Sequence, residues 1–129
     1  MILGLGLDLV DVARVERLLG DASSGRGRRF IDRCFTRGEQ ATCEARHDRA
    51  NGYAARIAAK EAVVKALGAP KGIRWTDVEV VRQGGPPEVR LFGAAQAAAR
   101  ARGVSRVLVT LTHDGGMAAA AVVLEGEVP

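Results

Sequence analysis

The stretch Arg56-Ile57-Ala58-Ala59-Lys60-Glu61-Ala62-Val63-Val64-Lys65-Ala66-Leu67-Gly68 decides how this chain is read. Alanine, leucine and long unbranched side chains favour helix, and Gly68, with Pro70 just beyond it, supplies a stop signal. At about 100° per residue, Glu61 shares a stripe with Ile57 and Val64. A helix apolar on nearly every side is buried, and an ionised carboxylate there is costly unless a cation or metal ion meets it. Lys65, one turn further on, is close enough to be that cation, or to bind a phosphate instead. Glu61 therefore calls for a functional explanation.

The segments around this helix define the fold class. From Ile2 to Val10 the chain alternates, with Leu3, Leu5, Leu7 and Leu9 on one side and Gly4, Gly6 and Asp8 on the other. That pattern predicts a strand whose glycine face admits another backbone or a ligand, with Asp8 beside it. A short helix is expected from Val12 to Leu19, a flexible loop over 20–27, and a further turn or two of helix from Arg28 to Phe35. Thr36-Arg37-Gly38-Glu39 fits a capping box, so another helix should run to about Arg46, with the long helix spanning Arg49 to Leu67. Strands are predicted at Val78–Arg82 and Glu88–Phe92, joined by Gln83-Gly84-Gly85-Pro86-Pro87. An alanine-rich helix from Ala94 to Arg102 follows, then a hairpin of Arg106–Thr112 and Met117–Glu125 around Asp114-Gly115-Gly116. Helices and mostly antiparallel strands in separate runs indicate an α+β domain over residues 1–129.

Composition narrows the function classes. The chain has 129 residues, 47% hydrophobic and 26% charged, which is enough for one domain with a real core. It holds no apolar run of roughly 18 residues, so no membrane span is expected. The opening Met1-Ile2-Leu3-Gly4-Leu5-Gly6 lacks the basic start and cleavage site of a signal peptide, so the expected location is cytoplasmic. Cys34 and Cys43 belong to no metal-type C-x-x-C pair and are expected to be reduced thiols. The net charge of +4 is uneven: Arg26, Arg28, Arg29, Arg33 and Arg37 face only Asp32, a patch that would steer an acidic partner. With only Phe30, Phe35, Tyr53, Trp75 and Phe92 as aromatics, little is left to stack on nucleic-acid bases.

Three constellations could carry chemistry. If the long helix packs on the glycine face, Asp8 and Glu61 converge, an arrangement that like-charge repulsion opposes unless a cation sits between them. One or two carboxylates plus substrate phosphates make a typical Mg²⁺ site. Alternatively, Asp8 caps the strand end or pairs with Arg14, and Glu61 simply pairs with Lys65. Arg56, Lys60 and Lys65 form a second set, suited either to polyphosphate or to a solvated helix edge. His113, before Asp114-Gly115-Gly116, is either a turn residue or a site residue; His47, in a charged run, reads as surface. The chain carries neither a phosphate-loop signature nor a dinucleotide fingerprint.

Taken together, the residues Gly4-Leu5-Gly6-Leu7-Asp8-Leu9-Val10, Phe35-Thr36-x-x-Glu39, the Arg56–Gly68 stretch and Thr110-Leu111-Thr112-His113-Asp114 form a family pattern. In these blocks the chain resembles the holo-(acyl-carrier-protein) synthases, the small bacterial type of 4′-phosphopantetheinyl transferase. The resemblance implies that fold, a mostly antiparallel sheet on a long central helix, in a homotrimer with active sites between subunits. It also implies transfer of 4′-phosphopantetheine from coenzyme A to a serine of an acyl carrier protein. On it, Asp8 and Glu61 would hold Mg²⁺ against the pyrophosphate, and Asp8, Glu61 and Lys65 would carry catalysis. Arg56, Lys60, Lys65, Gly68 and His113 would hold coenzyme A. Arg14, Arg29, Phe30 and Arg33 would dock the acidic carrier, with neither nucleic acid nor membrane as a partner. Ile57 stands where the family usually has an aromatic, and Thr112 where serine is frequent.

Two other readings remain open on the residues alone. One is a non-enzymatic basic module gripping RNA or an acidic protein through Arg26 to Arg37. The other is a Mg²⁺-dependent nucleotide hydrolase using the same acids and lysines.

Overall fold

A computed structural model describes residues 1–20 and 25–129. Strand β1 (Ile2–Asp11) leads into α1 (Val12–Leu19), then α2 (Gly25–Cys34), α3 (Arg37–Glu44) and the long α4 (Arg49–Ala66). A 3₁₀ turn at Trp75–Asp77 precedes β2 (Val78–Val81) and β3 (Glu88–Leu91). Helix α5 (Gly93–Ala101) and the strands β4 (Val104–Asp114) and β5 (Met117–Gly126) complete the chain. Every predicted element is present with ends shifted by one or two residues, except that α2 begins three residues earlier, at Gly25. The loop expected over 20–27 therefore loses its last three residues to α2, and 21–24 lie outside the described residues. The 3₁₀ turn at Trp75 was not foreseen, because three residues are too few to show a period.

β5 lies between β1 and β4, antiparallel to both, and β2–β3 form a separate hairpin. α4 crosses the inner face of the three-stranded sheet. Its Ala58, Ala59, Ala62, Val63 and Ala66 pack against Ala120, Val122 and Leu124 of β5. The small side chains of α4 let it lie close to the sheet. Gly4 and Gly6 extend this onto β1: a Cβ at Gly6 would run into the Ala62 carbonyl, and one at Gly4 into that of Ala66. Arg102 fastens the same joint, donating to the carbonyls of Leu3 (2.6 Å) and Ala66 (2.7 Å).

The glycine face of β1 is therefore the inner one, and Leu5, Leu7 and Leu9 point away from the core. Leu3, expected on their side, instead packs partly buried against the core next to the irregularity between Ile2 and Gly4. Leu5, Leu7 and Leu9 are 70%, 65% and 63% exposed. A second core gathers α1 to α4 around Phe35, Tyr53, Ile31, Val15 and Leu19. The capping box is formed as expected: Thr36 Oγ1 accepts from Glu39 N, and Glu39 Oε1 accepts from Thr36 N. Cys34 and Cys43 are free and buried, and burial pushes the Cys43 thiol up to about 11. Among the described residues, no helix is long and apolar enough to cross a membrane.

Candidate active site

The close β1–α4 joint brings Asp8 and Glu61 together. Asp8 follows Gly4 and Gly6 on the inner face of β1 and is 9% exposed. Its Oδ1 accepts from Lys65 Nζ at 2.8 Å, while its buried Oδ2 has no hydrogen-bond partner. Lys65 also reaches the Leu7 carbonyl at 3.2 Å. Neither simpler pairing holds: Asp8 pairs with Lys65 rather than Arg14, and Lys65 pairs with Asp8 rather than Glu61. Glu61 is half-buried, and burial first, then the neighbouring Asp8, holds its carboxyl above the usual carboxylate range. The hydrogen bond from Lys65 to Asp8 holds the ammonium above the ordinary lysine value.

Two carboxyl groups crowded together, one with a spare buried oxygen, fit a hard divalent cation such as Mg²⁺. Among the described residues no third His, Cys, Asp or Glu joins them. Such an ion would take its remaining oxygens from substrate and water, as Mg²⁺ commonly does.

Glu61 stands between two cavities. One, of about 330 Å³, is lined by Lys60, Val64, Lys65, Ile73, Arg74 and Val78 together with Glu61 and Trp75. The other, of about 210 Å³, is bounded by Asp8, Arg14, Leu18, Phe30 and Ile57, again with Glu61 and Trp75. Arg14 and Phe30 thus share a wall with the carboxylates. Arg29 and Arg33 are exposed on the same helix as Phe30, so α1 and α2 present a basic rim beside this cavity.

A third cavity, of about 300 Å³, is basic. Arg46, Arg56, Arg82, Asn51, Thr112 and His113 line it. Arg56 is 3% exposed, with one guanidinium nitrogen donating to the Gly52 carbonyl at 3.1 Å and Nε left without a partner. That buried, incompletely paired cation facing a polar cavity is suited to an anion. Arg56 and His113, far apart in sequence, thus line one cavity. At 100° per residue, the helix positions lining this cavity (Gly52, Ala55, Arg56) lie nearly opposite Ile57, Glu61 and Lys65 on α4.

Two expectations need correction. Lys60 is 1% exposed, and its ammonium donates to Glu39 Oε1 (2.8 Å), the Trp75 carbonyl (3.0 Å) and the Val78 carbonyl. With all three protons committed inside the core, Lys60 has none for a nucleotide. Gly68 lines none of the three cavities; at φ 84° it turns the chain out of α4, its N–H bonding the Lys65 carbonyl. Sequence reasoning missed Trp75, Ile73, Leu18, Arg46 and Arg82 as cavity residues. All lie in turns, at strand ends or on a short helix, where no periodicity marks an inward face.

The chain belongs to the 4′-phosphopantetheinyl transferase superfamily, whose model matches residues 4–121. It is 59% identical to the holo-(acyl-carrier-protein) synthase of Anaeromyxobacter dehalogenans over 129 residues, which is all of both chains. Among solved structures it resembles the acyl carrier protein synthase of Mycobacterium tuberculosis (34% identity, TM-score 0.75), covering 98% of this chain and 100% of that one. The Bacillus anthracis synthase, solved in complex with coenzyme A (3′,5′-ADP), is 27% identical with a TM-score of 0.77, over 98% and 99% of the two chains.

Proposed function

We propose that this chain transfers the 4′-phosphopantetheine group of coenzyme A to a serine of an acyl carrier protein, releasing adenosine 3′,5′-bisphosphate. The observation that carries this reading is the crowding of Asp8 and Glu61 beside Lys65, with one buried carboxylate oxygen left unpaired. The relatives named for this reaction, and the coenzyme A complex of one of them, support it.

Asp8 and Glu61 would hold Mg²⁺ together with pyrophosphate oxygens. When bound, the ion polarises the phosphoryl oxygens and offsets the charge of the leaving group. Lys65, exposed beside the pair, neutralises substrate phosphate. The cavity of Ile73, Trp75 and Val78 suits the nucleotide side of coenzyme A, being apolar and adjacent to Lys65. The arginine cavity suits a terminal phosphate. The serine oxygen attacks the phosphorus of the phosphopantetheine group, and the bond from that phosphorus to the bridging oxygen breaks. The nucleotide leaves with the electron pair, and the hydroxyl proton passes to the Glu61 carboxylate or to a water beside it. The exposed Arg14, Arg29 and Arg33, with Phe30, receive the acidic carrier.

Two features of one copy support an assembly. The exposed Leu5, Leu7, Leu9 and Leu108 form an apolar outer sheet face that needs a cover, and α4 separates the arginine cavity from the carboxylates. Packing this face against further copies, in the trimer the family resemblance implies, lets the arginines of one copy serve the acids of its neighbour. The reduced thiols Cys34 and Cys43 suit a cytoplasmic location.

Incubation with coenzyme A, Mg²⁺ and apo carrier protein, read by intact mass, tests the reaction. A gain of one phosphopantetheine arm on the carrier is expected. Coenzyme A cleavage with an unmodified carrier would point to a hydrolase instead, and no turnover together with RNA retention at physiological salt would point to a binding module.

A further inference from the structure

Among the described residues, Trp75 is the only one besides Glu61 that lines both cavities beside the carboxylate pair. It opens the 3₁₀ turn, which packs against α2, the helix carrying Arg29, Phe30 and Arg33. Its backbone is fixed from below: Lys60 donates to the Trp75 and Val78 carbonyls, and Glu39 holds Lys60 while accepting from Val80 N at 2.9 Å. The half-buried indole is thus an anchored wall between a docking helix and the catalytic helix.

We propose that Trp75 is a specificity-determining residue shared by both substrates, forming one wall of the coenzyme A cavity and one wall of the carrier cavity. This rests on the transferase reading, which assigns those cavities. An aromatic ring there gives each substrate a large rigid apolar contact at low conformational cost, and it lines the point where the reacting groups meet. Lys60 acts only as a positioning residue, through the backbone at 75 and 78.

The chain has one tryptophan, so its emission reports this wall alone. Coenzyme A, and separately a tryptophan-free carrier whose acceptor serine is alanine, are titrated while Trp75 emission is followed. Each is expected to shift or quench it. In steady-state transfer assays, Trp75→Ala should raise KM for both substrates by about fivefold. It should change kcat much less, and Trp75→Phe should restore most of the loss. The proposal is overturned if either ligand leaves the emission unmoved, or if Trp75→Ala leaves either KM within twofold of the parent. If the parent protein transfers nothing to the carrier, the reaction assignment fails, and the two titrations still decide whether Trp75 faces both ligands.

Discussion

Two charged centres sit one residue apart on α4, and they differ in almost everything except sequence position. Lys60 is enclosed, with Glu39 and two carbonyls taking all its protons, and Glu39 in turn accepts from Thr36 N and Val80 N. Glu61 is half-open and lies against a second carboxylate, with a cation held by that neighbour and a buried oxygen left unpaired. The first centre is satisfied and ties α3, α4 and β2 together. The second is unfavourable as it stands and gains from a ligand. Adjacent charges on a helix project about 100° apart, so one can serve the core while the other serves a cleft.

The contrast can be broken from either side. The largest effect is expected for Glu61→Gln and Asp8→Ala, each lowering kcat by at least about 10²-fold, as losses of key electrostatic groups commonly do. Glu61→Gln should nevertheless raise the Tm of the metal-free protein at neutral pH. The sign follows from the raised carboxyl: a folded pKa above the unfolded value means stability is lost as pH rises through that interval, and glutamine removes the loss. Mg²⁺ binding should accordingly release protons and weaken toward acid pH, measurable by calorimetry in buffers of different ionisation enthalpy. A lowered Tm for Glu61→Gln would show that Glu61 stabilises the fold as Lys60 does.

At the enclosed centre the expected order is reversed. Glu39→Gln leaves a buried ammonium without its counter-charge and should cost about 3–5 kcal/mol in denaturant unfolding. Adding Lys60→Met should recover part of this, giving a coupling energy of about 2 kcal/mol. Additive losses would mean that the two residues do not act as one unit. Charge reversal at Arg14 or Arg29 should leave stability unchanged, raise KM for the carrier about tenfold and flatten its salt dependence. An unchanged KM removes the docking face from α1 and α2.

The smallest effect sharpens the end of the helix. Ala69 has φ 52°, a left-handed conformation costing a non-glycine residue about 1 kcal/mol. Ala69→Gly relieves this but frees the unfolded chain, so a net gain below about 1 kcal/mol is expected by thermal unfolding.

Much of the frame was legible in order and kind. The capping box at Thr36, the Gly68 stop, the Asp114-Gly115-Gly116 hairpin and the glycine face of β1 are local signals that need no partner. The convergence of Asp8 and Glu61 followed from the glycines, because only a glycine face lets a helix come so near a strand. Lys60 was misread because its neighbours at 39, 75 and 78 are remote in sequence and look like any polar or turn residues. Trp75 and the cavity roles of Arg46 and Arg82 were invisible for the same reason.

The sequence by itself determined the elements, the small-residue faces that pack and the acids they bring together, since periodicity and turn chemistry act over a few residues. The tertiary structure alone decided which lysine is core and which meets the acid, and where Arg56 meets His113. Those outcomes depend on burial and on partners dozens of residues away, and neither is encoded in any local pattern.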